Sequence, residues 1–150
     1  AGTAALLLTL CADASSVEPL IAALNHPSTE VAQLAAATLG RLGDRRAVRP
    51  LIEALRRGES FLNCGGGIFI QDGALIALGR LGDRSAVPVL LDRLETADPG
   101  EIRDVAKALL MLRDARAIEP LRHALEKGLR GFPAEAVRSA LAESDRWEEA

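Results

Sequence analysis

Residues 39–55, LGRLGDRRAVRPLIEAL, decide the fold, because they return as residues 78–94, LGRLGDRSAVPVLLDRL, and more loosely as residues 109–125, LLMLRDARAIEPLRHAL. Residues 8–24, LTLCADASSVEPLIAAL, are an earlier copy. An aspartate recurs at the same point of the phrase, at Asp13, Asp44, Asp83, Asp114 and Asp145, in steps of 31, 39, 31 and 31 residues. A fixed period near 30 residues means a stack of small similar units, none able to bury its own apolar face.

Within each unit the apolar columns have helical spacing. Counting from the aspartate, the fourth, seventh, eighth and eleventh residues are Val48, Leu51, Ile52 and Leu55 in one copy. In the next copy they are Val87, Leu90, Leu91 and Leu94, and in the first they are Val17, Leu20, Ile21 and Leu24. The last copy has Ile118, Leu121, Arg122 and Leu125. This i, i+3, i+4, i+7 pattern predicts one buried face of an α-helix. The helix before each aspartate shows smaller residues, such as Ala35 and Ala36, which favours close approach of helix axes. Each unit is therefore predicted to be a helical hairpin.

Local signals agree. Gly43 and Gly82 suit a left-handed residue closing the first helix, and Asp44 and Asp83 follow as N-caps of the second. Pro19, Pro50 and Pro120 fall six residues after the aspartate, late for a first-turn proline, so the segment between is expected to open as a 3₁₀ turn. Asn25, His26 and Pro27 form the turn to the next unit, with Ser28 the expected cap of the helix ending near Leu42.

Composition suits one continuous all-α stack. About half of the 150 residues are apolar, mostly Ala, Leu, Ile and Val, with no Tyr, one Trp and three Phe. The predicted units are about 1–25, 26–57, 58–95 with an insertion at 58–70, 96–127, and a partial terminal unit 128–150. The formal net charge of −3 supplies no global field for nucleic acid. Two cysteines make no disulfide framework: Cys11 stands in the column of Leu42, Leu81 and Leu112 as a small hydrophobe, while Cys64 lies in the insertion. No run approaches the roughly 20 apolar residues of a membrane span, and a cytoplasmic location is expected.

The phrase at 39–55 and its near copy at 78–94 resemble the short bacterial HEAT-like repeat of the phycobilisome-lyase (PBS lyase) type. The resemblance implies a right-handed α-solenoid whose second helices line a concave binding surface. It implies no one activity, since bilin lyase subunits, metal-dependent hydroxylases, DNA-alkylation repair proteins and plain adaptors are similar in this repeat. The His-Glu metal pairs of the hydroxylases have no counterpart, for His26 is followed by Pro27 and His123 by Ala124.

No Gly-rich phosphate motif with its lysine, no nucleophile and base, and no metal-ligand spacing stands out, so no catalytic residue, cofactor or metal is expected. The function expected is that of a non-catalytic protein-protein scaffold. The alternative is a subunit of a bilin lyase or related chromophore-handling enzyme, with a tetrapyrrole in the concave groove. On the second helices, His123 shares a solvent-facing column with Ala22, Glu53 and Asp92, and Glu95 lies on the same surface as Asp92. Arginines concentrate at residues 25–57, where Arg49 and Arg56 share a helical face with Glu53. That excess is either a solvated ridge or a docking patch for an acidic protein segment.

Two departures from the repeat add candidates. The 39-residue step contains eight extra residues, and the stretch between Arg57 and Gln71 carries Phe61 and Phe69 around Gly65, Gly66 and Gly67. It is either a longer loop with its aromatics tucked on the core or a hydrophobic binding loop. In the first helix, Leu6 and Leu10 replace the Lys107 and Arg41 types of later copies, so that helix is expected to be covered by preceding chain or by self-association. Protein partners are expected, and neither nucleic acid nor membrane.

Overall fold

Each copy of the repeated phrase folds alike. In the computed structural model, which describes residues 13–56, 73–96, 99–127 and 132–142, the helices are α1 (Val17–Ala23), α2 (Thr29–Leu42), α3 (Val48–Arg56), α4 (Ala74–Leu81), α5 (Val87–Thr96), α6 (Pro99–Leu112), α7 (Ile118–Glu126) and α8 (Phe132–Ala142). A 3₁₀ turn precedes α1, α3, α5 and α7, at Ala14–Ser16, Arg45–Ala47, Arg84–Ala86 and Ala115–Ala117. The late prolines are thus explained: Pro50 is the third residue of α3, its φ compatible with a helix already opened by the tighter turn. There is no strand among the described residues, and the all-α solenoid expected from the repeat is observed.

The turn chemistry follows the sequence closely. Gly43 and Gly82 adopt φ of 70° and 68°. The Gly43 amide donates to the Leu39 carbonyl, ending α2. Asp44 then accepts from the Arg46 amide at 2.9 Å and Asp83 from the Ser85 amide at 2.9 Å, so the aspartates cap the 3₁₀ turns that lead into the second helices. One cap differs from expectation. Ser28 occupies the N-cap position of α2 without a side-chain cap bond. Its own amide instead donates to His26 Nδ1 at 3.0 Å, which gives that histidine a structural task in the turn.

First helices (α2, α4, α6, α8) form one layer and second helices (α1, α3, α5, α7) the other, with the core between them. Leu39, Leu51, Leu78, Leu90, Leu109 and Leu121 are fully buried, each contributing roughly 2 kcal/mol by burial. The buried face of α3 is rotated slightly from the expected columns: Ala54 is buried, whereas Ile52 is half-buried. This rotation explains why Arg122, in the Ile52 column, is tolerated. It sits exposed and pairs with Glu119 at 2.7 Å.

The layers are unequally spaced. A Cβ built on Gly40 would stand 2.7 Å from Ala77 Cα, and one on Gly79 3.0 Å from Ala108 Cα, so α2, α4 and α6 touch backbone to backbone. Contacts between α3 and α5, and between α5 and α7, are sparse by comparison.

Candidate partner-binding surfaces

The second-helix candidates all face water. Arg49 is 91 % exposed, and its Nε lies 3.9 Å from Glu53 Oε1, one turn along α3. Arg56 ends the same helix and is exposed. On α5, Asp92 and Glu95 are exposed, and the Asp92 carbonyl accepts from Thr96 Oγ1 at 3.1 Å. On α7, His123 Nδ1 lies 3.5 Å from Glu126. The fold holds these groups on three neighbouring helices, each paired, where it is paired at all, along its own helix. The arrangement can present a mixed-charge surface. Among the described residues no group of three or more His, Cys, Asp or Glu could hold a metal ion.

A second charged surface runs along the edge where first helices turn into second helices. Arg46 binds Asp44 through Nε and Nη2 and reaches Glu18 of the preceding unit at 3.1 Å. Arg116 binds Asp114 in the same way, at 2.9 and 2.8 Å. These guanidiniums, with the capped backbone amides, hold the Asp44 and Asp114 carboxyls below the usual carboxylate range. Asp83 is lowered by Ser85, whose hydroxyl and amide both donate to it, and in smaller part by Arg45 of the neighbouring turn. Asp114 is the most enclosed of the set, its side chain 8 % exposed.

The HEAT-repeat pattern matches residues 1–62 and 70–144. The chain belongs to the HEAT-repeat family. The break between the two matched HEAT segments falls within the stretch where the sequence departs from its 31-residue step. No curated protein sequence matches the chain. HEAT repeats commonly build surfaces for protein-protein interaction, and no helix among the described residues is long and apolar enough to cross a membrane.

Phe61, Phe69, Leu6 and Leu10 lie outside the described residues, as does Cys11. Three features of this HEAT stack went unread in the sequence. Arg93, on α5, donates from Nη2 to the Leu55 carbonyl at the end of α3, and its Nη1 lies 3.5 Å from Glu101 on α6, tying three helices together. Asp104 is buried on α6, with Arg103 at 3.3 Å and Lys107 at 3.8 Å. Arg113 holds the left-handed position that glycine fills at 43 and 82, with φ of 47°. Only the last left a signal, an arginine in a glycine column.

Proposed function

We propose that the chain is a non-catalytic protein-protein interaction scaffold built from short HEAT-like repeats of the PBS lyase type. The observation that carries this reading is the division of each unit into columns: equivalent positions are buried in successive units, while Glu53, Asp92 and His123, one column on three neighbouring helices, are all exposed. A surface so built can vary its side chains without touching the core, which is the basis of solenoid recognition. Arg49, Glu53, Arg56, Asp92, Glu95 and His123 are the candidate contacts of the second helices, and Phe61, Phe69, Leu6 and Leu10 add hydrophobic ones. The last two also offer a route to self-association.

The test is photo-crosslinking from position 92 or 123 in the full chain, followed by reconstitution. A captured protein must bind the purified chain stoichiometrically and lose that binding when surface residues are replaced at unchanged melting temperature. Absence of such a protein, together with an absorbance shift on adding a free bilin, would turn the reading toward chromophore handling.

A further inference from the structure

Three homologous turns lie side by side along one edge of the stack: residues 41–46 (RLGDRR), 80–85 (RLGDRS) and 111–116 (MLRDAR). Together they hold seven arginines against three aspartates, a formal excess of +4 on a chain whose net charge is −3. The aspartates turn inward to cap backbone amides, and the arginines are exposed. The second and third turns touch, for Arg84 Nη2 lies 3.5 Å from the Arg113 carbonyl and Arg116 Nη2 lies 3.4 Å from the Arg84 carbonyl. The first turn reaches the second electrostatically, Arg45 helping to lower the Asp83 carboxyl. At the opposite edge of the same helices Glu30, Glu95, Glu101 and Glu126 stand with Arg56, Arg93 and Lys127, so charge there is mixed and the positive excess belongs to the turns.

One column of the rim ends differently. Arg41 and Arg80 are followed on the next helix by Met111, which is 45 % exposed and is the large apolar side chain left open among the described residues. A Cβ on Gly79 would meet Met111 Sδ at 3.1 Å, so the thioether lies against α4, next to the Arg80 turn. An anchor of this softness accepts varied apolar side chains.

Resting on the scaffold reading, we propose that this rim docks an extended acidic segment of a protein partner, laid across the three turns with an apolar residue seated on Met111. Helix axes in contact are about 8–10 Å apart, and an extended chain advances about 3.3 Å per residue. Carboxylates roughly three residues apart therefore meet successive turns. Nucleic acid fits less well, because the three turns offer no aromatic platform for bases.

The probe is a fluorescent peptide with Glu at every third position and a terminal Leu, made in both chain directions, beside the same peptides with Gln for Glu. The acidic form should bind the full chain at least about tenfold more tightly than the Gln form and weaken as salt is raised. The combined change Arg41→Gln, Arg45→Gln, Arg80→Gln and Arg84→Gln should weaken it about tenfold at unchanged helical circular dichroism, whereas Lys127→Gln, exposed at the far end of α7, should not. Met111→Ala should weaken only the peptide that carries Leu. Equal binding of the Glu and Gln peptides would overturn the proposal without requiring any variant to fold, and tighter binding of a single-stranded oligonucleotide would overturn the partner class. A reconstituted protein partner that stays bound to the four-arginine variant would sink the rim while leaving the scaffold reading intact.

Discussion

Gly40 rests on Ala77 with no room for a side chain: an added Cβ would stand 2.7 Å from the Ala77 Cα, a backbone atom that cannot move alone. On helix propensity, Gly40→Ala should stabilise α2 by about 0.5–1 kcal/mol. Overpacking at a backbone contact costs about 1–3 kcal/mol and should win. The expected outcome is a lower melting temperature for Gly40→Ala. A rise would mean that the two first helices are further apart than described.

Leu51 and Glu53 are two residues apart on α3 but face opposite ways, Leu51 being fully buried in the core and Glu53 65 % exposed to solvent at its side chain. Leu51→Ala should cost roughly 2–5 kcal/mol, as truncations in close-packed cores do. Glu53→Ala loses only a long, exposed contact with Arg49, within about 0.5 kcal/mol of neutral. Urea titrations of the two variants, giving equal midpoints, would refute the assigned face.

Local chemistry made the hairpins legible before any coordinates. Gly43, Gly82 and the aspartates act on backbone within a few residues, so their meaning is carried by short-range spacing. The close packing of the first helices was half legible: their small face was visible, but Gly40 and Gly79 matter through Ala77 and Ala108, far along the chain. Arg93 was opaque for the same reason, since it meets a carbonyl 38 residues earlier. Ser28 misled because a cap residue in the right place is not a cap bond, and His26 answers its amide instead. The second-helix candidates Arg49, Glu53, Arg56, Asp92, Glu95 and His123 are exposed, yet nothing in a single sequence lines up the turns along one edge.

Arg93 should matter more than its surface chemistry suggests. Its side chain is 20 % exposed and that of Glu101 11 %, so the pair is largely withdrawn from water while Nη2 also satisfies the final turn of α3. Arg93→Met keeps the stem but removes both contacts, leaving Glu101 without this guanidinium. A loss of about 2 kcal/mol is expected, typical of removing a charged hydrogen-bonding partner. Hydrogen exchange should also quicken at the end of α3, an effect that simple loss of packing in α5 would not produce.

Acid should loosen the turns through their aspartates. The Asp114 carboxyl is held below its ordinary value of 3.8, chiefly by the hydrogen bond from the Arg116 side chain. A lowered carboxylate pKa contributes stability that is fully present well above that value and fades as pH falls through the folded-state value. The stability difference between the native chain and Asp114→Asn should therefore be constant above roughly pH 5 and shrink below about pH 4. A difference that persists unchanged at about pH 2 would show that the amide perturbs packing rather than charge.

Arg113 is the one non-glycine residue with positive φ among those described, and it occupies the column where Gly43 and Gly82 sit. A side chain in the left-handed region costs about 1–2 kcal/mol, while glycine there returns about 0.5–1 kcal/mol of that through its freer unfolded chain. Arg113→Gly should thus stabilise the protein by somewhat under about 1 kcal/mol, raising its melting temperature by a few degrees at most. The same change removes one guanidinium from the rim while keeping the carbonyl near Arg84. If the rim docks an acidic segment, the more stable variant should bind the Glu peptide less well, the pattern expected where a residue is kept for recognition at the expense of local conformation. A variant that is both more stable and unchanged in peptide binding would mean that Arg113 faces away from the docking path, and that the rim ends at Arg80 and Arg84.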